Sequence, residues 1–299
     1  MHIATEGPLG WSAARVARKL KIPTSSDFRT NFHAYSQFYG LGWLKGAIVA
    51  YLRKFHNGTH CTMVPSTPLL SELSRHGFER LLMVPRGVDT EHFNPSKRKP
   101  ELRASWGADA DTKVLLSVGR LASEKNLDTV VRCYQAMMAR NLPVKLVFVG
   151  DGPLRAQLEK SCPTAIFAGV RTGHDLAQHY ASADVFVFPS LTETFGNVTI
   201  EAMASGLAVA AYDHAAAGQL IQHEHNGMLL APNQEQALFE SVQALIQHAP
   251  LCESIRRNGR HTSIEHDWNS VIARTESIFR SLIKDQRLVS TSQYIQQTA

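Results

Sequence analysis

The sequence predicts an α/β fold of doubly wound parallel sheets, and three observations carry that prediction. Short apolar runs at 113–118, 145–149, 165–168, 185–188, 208–211 and 228–230 read as strands buried on both faces. Amphipathic helical segments separate them, which is the rhythm of right-handed crossovers covering one parallel sheet. Glycine or proline punctuates the strand ends, at Gly119, at Gly150-Asp151-Gly152-Pro153, and at Pro189 and Gly196. Ligands of such sheets bind outside the carboxyl ends of the strands, where Arg120, Asp151, Val170 and Glu193 all fall.

The elements follow in order. A strand remnant at 2–4, a helix at 8–19 opened by Pro8, and a strand at 22–25 begin the chain in mid-pattern. Alternation continues with a helix at 44–54, a strand at 61–65, a helix at 68–76 and a strand at 81–84. Residues 86–100 break the rhythm with Gly87, Pro95, Pro100 and the basic run Lys97-Arg98-Lys99. The expected organisation is a partial first domain at 1–87, a linker at 88–100, a complete second domain at 101–285 and a frayed tail at 286–299, rich in Ser, Gln and Thr. The helix around 268–283 is a candidate to cross back.

Composition narrows the function classes. A chain of 299 residues with 44% hydrophobic content can bury a large core. Its formal charge of +5 comes without a long basic run, so no nucleic-acid partner is expected. Cys61, Cys133, Cys162 and Cys252 are scattered with no C-x-x-C pair, which argues against a zinc site or disulfide framework and for a reducing compartment. The apolar stretch at 43–55 contains Lys45 and Arg53 and is too short to span a bilayer.

Chemistry concentrates in S-L-T-E-T-F-G-N-V-T-I-E-A-M-A-S-G at 190–206. It sets Glu193 in a strand-to-helix loop and Glu201 one turn inside a helix that Asn197 can cap. Free N–H groups and the partial positive charge at a helix start suit a phosphate. Carboxylates beside them suit hydroxyls. Upstream, Gly119 lets the backbone approach closely, and Arg120 and Lys125 supply two cations for a diphosphate, Arg bidentately and Lys as a point charge. Taken singly, each feature has an ordinary reading: loop charges in solvent, a helix-surface carboxylate, a plain G-D-G-P turn. A glycosidase carboxylate pair would explain the glutamates but not Arg120, Lys125 or the helix start.

Together with G-R-L-A-S-E-K-N at 119–126, the glutamate stretch resembles the signature of GT-B nucleotide-sugar glycosyltransferases of the retaining type, which include bacterial mannosyltransferases, sucrose synthases and glycogen synthases. In the first half, H-I-A-T-E-G-P-L-G, R-T-N-F-H-A-Y and P-R-G-V-D-T-E-H-F-N-P look like the GDP-mannose-dependent α-mannosyltransferases and their sulfoquinovosyl relatives. The resemblance implies a GT-B fold of two Rossmann-like domains with the first β/α units of the N-terminal one absent from this chain.

It also implies roles. Glu201 accepts from ribose hydroxyls and Glu193 from the donor sugar. Phe195, Gly196, Asn197 and Val198 offer backbone N–H groups, and Val170 or Arg171 lies against the nucleobase, with Gly119 and Asp151 lining the same strand ends. Arg29 stands where relatives carry a histidine facing the donor sugar. His33 is either its substitute or a structural residue. Glu6, Tyr35 and Tyr39 are acceptor-side candidates.

The implied reaction moves a hexose, mannose first among the candidates, from GDP-mannose or a UDP-sugar to a lipid or glycan hydroxyl with retention, without metal or cofactor, Arg120 and Lys125 stabilising the leaving diphosphate. The expected location is cytoplasmic and peripheral on the inner face of the membrane. There Arg15, Arg18, Lys19 and Lys21 with Trp43, Leu44 and Ile48 form either an anionic-bilayer contact or a plain solvated face. Two rivals stay open: a nucleotide-sugar epimerase on the same fold, and a non-catalytic nucleotide-sugar-binding remnant.

Overall fold

The computed structural model describes residues 1–28, 45–193 and 195–285, and the chain divides into two units, Met1–Arg86 with the chain from Trp268 onward, and Gly87–Asp267. In the first unit, β1 (His2–Ile3), β2 (Ser25–Asp27), β3 (Cys61–Val64) and β4 (Leu81–Met83) pair in parallel in sequence order. Helices α1 (Pro8–Lys19), α2 (Lys45–His56) and α3 (Thr67–Arg75) connect or follow them. α3 starts where Ser66 Oγ accepts from Leu69 N at 3.3 Å, an N-cap that satisfies one open donor.

The strand expected at 22–25 lies instead at Ser25–Asp27. The helix before it ends in a left-handed turn: Lys21 takes φ +53°, Ile22 N donates to Ala17 O at 2.9 Å and Lys21 N to Arg18 O at 3.3 Å. That double closure is a Schellman motif, and it holds Ile22 in the helix terminus.

In the second unit come α4 (Pro100–Ser105), β5 (Lys113–Val118), α5 (Leu127–Ala139), β6 (Val144–Val149), α6 (Arg155–Ser161) and β7 (Ile166–Gly169). They are followed by α7 (Gly173–Ser182), β8 (Val185–Phe188), α8 (Asn197–Ala204), β9 (Ala208–Tyr212), α9 (Ala215–Leu220), β10 (Met228–Leu230), α10 (Glu235–Gln247) and α11 (Ala249–Glu265). The sheet is parallel in the order β10-β9-β8-β5-β6-β7. Both faces are buried. Leu115, Leu146, Phe148, Val185 and Val187 pack with Val130, Met137 and Leu238 on one side, and Val114, Leu116, Val149 and Phe186 with Ile200 and Met203 on the other. Adjacent residues of each strand thus serve opposite cores, which is why the strands read as unbroken apolar runs.

Two expected boundaries move. The segment read as a linker at 88–100 is part of the second unit. Arg98 donates to Ala181 O, Ala183 O and Asp184 Oδ1 at 2.9–3.1 Å, Arg260 donates to Thr90 O and Phe93 O, and Val88 N bonds His266 O. A basic run that looks like solvated linker is in part a clasp. The helix α12 (Trp268–Asp285) lies inside the expected 101–285 boundary but was singled out as a candidate to cross back, and it does belong to the first unit. There Ile278 and Leu282 cover Cys61 and Leu82, and the Phe279 ring lies 5.6 Å from that of His2.

Candidate functional site

Strand order reverses between β5 and β8, which are neighbours through Leu115 with Val185 and Leu116 with Phe186. The chain leaves these two strands toward helices on opposite faces, so their following loops diverge and open a crevice, the usual ligand position in such sheets. One of those loops carries Gly119 to Asn126. The other carries Ser190 to Gly196. Gly119, Arg120, Lys125, Glu193, Phe195 and Gly196 therefore sit at the switch point of the sheet, with Asn197, Val198 and Glu201 in the helix that follows.

Close backbone approach shapes the first loop. A Cβ on Gly150 would lie 1.9 Å from Gly119 O, and Gly150 has φ +137°, so only glycine fits. Around it Gly119 N bonds Val149 O, Gly150 N bonds Gly169 O and Leu121 N bonds Asp151 O, each at 2.9 Å, which ties the ends of β5, β6 and β7 together. A turn at Ser123–Lys125 and the left-handed Asn126 (φ +52°) then deliver the chain into α5.

Hydrogen bonds stitch the two loops. Leu191 N donates to Glu124 O at 3.2 Å, and the Lys125 ammonium pairs with Glu193 Oε1, which also accepts from Ser190 Oγ at 3.1 Å. Lys125 Nζ lies 5.8 Å from the Phe188 ring centroid, in cation–π range. Arg120, with a half-exposed side chain, pairs with the fully buried Glu124 carboxylate. Both cations and the loop leading into α8 thus belong to one bonded cluster. The Thr192 and Thr199 hydroxyls, on either side of the loop-to-helix turn, are buried with no hydrogen-bond partner among the described residues.

The start of α8 differs from expectation. Asn197 is its first helical residue rather than its cap; the cap position is Gly196 in a left-handed conformation (φ +88°), with no side-chain cap bond. Its open N–H groups are therefore not taken by a capping side chain. Ala216 N bonds Phe195 O at 2.6 Å, while His214 Nε2 accepts from Glu193 N at 3.1 Å, so the loop after β9 holds this turn from a third side.

Glu201 is largely buried in α8, and Tyr180 Oη, from α7, donates to its Oε2 at 2.9 Å. Burial raises the Glu201 carboxyl above its usual range, and the Tyr180 hydrogen bond and the charge of His92 pull the other way. Burial, followed by the neighbouring Glu201 charge and hydrogen bond, pushes Tyr180 well above the ordinary phenol, so its hydroxyl stays protonated.

The remaining expected residues fall as follows. Asp151 faces solvent, accepting from Gly152 N at 2.7 Å and pairing with Arg155 at 3.1 Å. Val170 is 68% exposed at the end of β7, an apolar surface open to a flat ring. Arg171 bends back to Ala168 O and Asp175. Val198 stands in the first turn of α8. Glu6 turns inward: its carboxylate meets His56 Nε2 at 3.1 Å, within a buried chain that runs through His56 Nδ1 to Ser26 Oγ at 2.9 Å. A buried hydrogen-bond partner competes with the acceptor-side role expected for it. Arg29 and His33, with Tyr35, Tyr39, Trp43 and Leu44, lie outside the described residues.

Sequence reasoning gave no role to Glu124, Tyr180, His92 or His214. Glu124 lies four residues after its partner Arg120 within the quoted stretch, whereas Tyr180, His92 and His214 act from other elements, and no local spacing announces them. The cysteines are buried, Cys61 and Cys133 pushed up to about 12 by burial, which makes them inert packing groups. Among the described residues no three His, Cys, Asp or Glu side chains group as a metal site.

Residues 98–262 match the family described as "Glycosyl transferases group 1", and residues 1–92 match "Glycosyltransferase Family 4". A GDP-mannose-dependent alpha-mannosyltransferase of Mycobacterium tuberculosis is 37% identical over 82% of this chain and 64% of its own length. One of Corynebacterium glutamicum is 38% identical over 77% and 54%, and a sulfoquinovosyl transferase of Arabidopsis thaliana 30% over 90% and 54%. The chain thus spans between 54% and 64% of these relatives' lengths. Among solved structures, sucrose-phosphate synthase from Thermosynechococcus elongatus superposes with a TM-score of 0.79 at 22% identity, covering 94% of this chain and 73% of that one. Anabaena HepE in complex with UDP and glucose gives 0.79 at 19%, covering 94% and 78%. Both likenesses are of fold, and they identify the fold as GT-B.

Proposed function

Because the chain belongs to the group 1 glycosyltransferases, we propose that it transfers a hexose, mannose before others, from a nucleoside-diphosphate donor to a lipid or glycan hydroxyl with retention of configuration. The observation that carries this reading is the Lys125/Glu193 pair bridging the two loops at the switch point of the sheet. A cation that must stabilise a diphosphate and a carboxylate that accepts from sugar hydroxyls already occupy adjacent positions. Arg120 adds a second cation on the solvent side. The names of the mannosyltransferase relatives favour GDP-mannose as donor.

In the proposed reaction the bond from the sugar C1 to the diphosphate oxygen breaks and its electron pair stays with the diphosphate. Arg120 and Lys125 neutralise that growing charge. The acceptor oxygen bonds C1 on the same face, and its proton passes to the departing phosphate oxygen. Glu201 holds the ribose and Glu193 the sugar, so neither acts as nucleophile. The proposal needs no cofactor beyond the donor.

The acceptor surface is proposed on α1. There Leu9, Val16 and Leu20 are exposed beside Arg15, Arg18, Lys19 and Lys21, a pairing of apolar and basic groups that suits an anionic bilayer. Among the described residues no helix is long and apolar enough to cross a membrane, so the proposed contact is peripheral, on the cytoplasmic face.

Incubation with GDP-mannose and anionic lipid tests the reading. Mannose transfer that is lost in both Lys125→Ala and Glu201→Ala is expected. Tight GDP-mannose binding without transfer would favour a binding remnant. An altered sugar would favour an epimerase.

A further inference from the structure

We propose that Tyr180 is a positioning residue for the nucleotide: its hydroxyl holds one oxygen of Glu201 so that the other is presented, ionised and in a single rotamer, to the ribose. The inference rests on the functional reading above and adds a residue to it. Tyr180 is fully buried, and its ring is wedged between Phe93, edge-on at 5.6 Å between centroids, and Phe186 at 6.0 Å. So held, the phenol cannot follow a moving partner. Its Oη lies 2.9 Å from Glu201 Oε2, across two helices.

A carboxylate that receives two ribose hydroxyls has to be an acceptor only, because a protonated carboxyl presents a donor where one hydroxyl needs an acceptor. Burial works against the ionised form of Glu201. Two groups face it with the opposite influence, Tyr180 from α7 and His92 from the segment before α4. Tyr180 is the one held by packing, and it stays a donor throughout the physiological range. His92 contributes only when protonated. Removing the Tyr180 hydroxyl should therefore shift Glu201 further toward its neutral form and free its rotamer together.

The test is Tyr180→Phe, which keeps the ring between its aromatic neighbours. The carboxyl resonance of Glu201, assigned by its loss in Glu201→Gln, is titrated in the free protein, and GDP affinity is measured by calorimetry over the same acid range. A higher titration midpoint in Tyr180→Phe is expected, with GDP binding weakened about tenfold and its acid limb moved up by the same interval. In a Glu201→Gln background Tyr180→Phe should change GDP affinity little and leave no acid limb to move. An unchanged Glu201 midpoint, or the same loss of affinity in the Glu201→Gln background, would overturn the proposal, since a merely structural tyrosine acts regardless of what residue 201 is. A wild-type protein that does not bind GDP overturns the nucleotide reading, and the free-protein titration alone then decides whether Tyr180 sets Glu201.

Discussion

Lys125 and Glu193 are each exposed by little more than a tenth of their side chains, and each is the other's ionic partner. Replacing Lys125 with Ala leaves the Glu193 carboxylate, among the described residues, with the Ser190 hydroxyl and removes a charge from where the proposed reaction builds it on the diphosphate. Transfer is expected to fall about 10²- to 10³-fold, by the magnitude typical of losing one preorganised group that stabilises transition-state charge. Measurement of kcat and KM for mannose transfer from GDP-mannose checks it, and a fall under threefold would remove Lys125 from the site. Each residue's own strand-end setting was legible because strand, loop and helix follow one another within a short stretch. The joining of two loops 68 positions apart into one site was implied by the family resemblance and not by spacing. Tyr180 and His214 were not legible. The tyrosine stands 21 positions from Glu201 and the histidine 21 from Glu193, each on a different element, and pairing across elements leaves no periodic trace.

At the scale of the element, a buried carboxylate holds the first turns of the second unit in place. Asp184, at the entry to β8, accepts from Arg98 and Arg103 at 2.9 Å and from Val114 N at 2.9 Å. Burial by itself would raise its pKa, but the two guanidinium groups and the Val114 N–H outweigh that and hold it below the usual carboxylate range. A folded-state pKa below the unfolded value stabilises above the unfolded pKa and loses its contribution as pH falls through the folded one. Asp184→Asn should cost about 3 kcal/mol at neutral pH, because two arginines are left with a neutral partner. The deficit should shrink as pH is lowered past about 4. Chemical denaturation at a series of pH values reads both effects, and a pH-independent difference would show that packing, not charge, was lost. The sequence pattern placed β5 and β8 correctly but not this clasp, because Arg98 sits in a run of basic residues indistinguishable from a solvated linker. The Gly150 turn is a second element-level case. Gly150→Ala puts a methyl group 1.9 Å from Gly119 O, and the thermal midpoint is expected to drop by several degrees, by a loss of about 2 kcal/mol.

For the whole molecule, the informative element is α12, which the sequence marked as a candidate to cross back and which the 101–285 boundary nevertheless left in the second domain. The first unit explains why it crosses back. Its strands are two to four residues long, and Leu82 of β4 and Cys61 of β3 need a cover that α1 to α3 leave to Ile278 and Leu282. Leu282 is 4% exposed, so Leu282→Ala should cost about 2–4 kcal/mol through lost burial and the cavity left behind. Ending the chain after Asp267 removes the whole cover. The second unit has its own sheet and two cores built from its own residues. The natural tryptophans separate the two outcomes, since Trp11 lies in the first unit and the buried Trp106 in the second. With all other tryptophans replaced by Phe, the Trp11 denaturant midpoint should fall in Leu282→Ala and the transition should vanish in the truncated chain. The Trp106 midpoint should hold in both. If Trp106 loses its transition along with Trp11, the units do not fold independently, and the helix contributes to the stability of the second unit as well as to the first sheet.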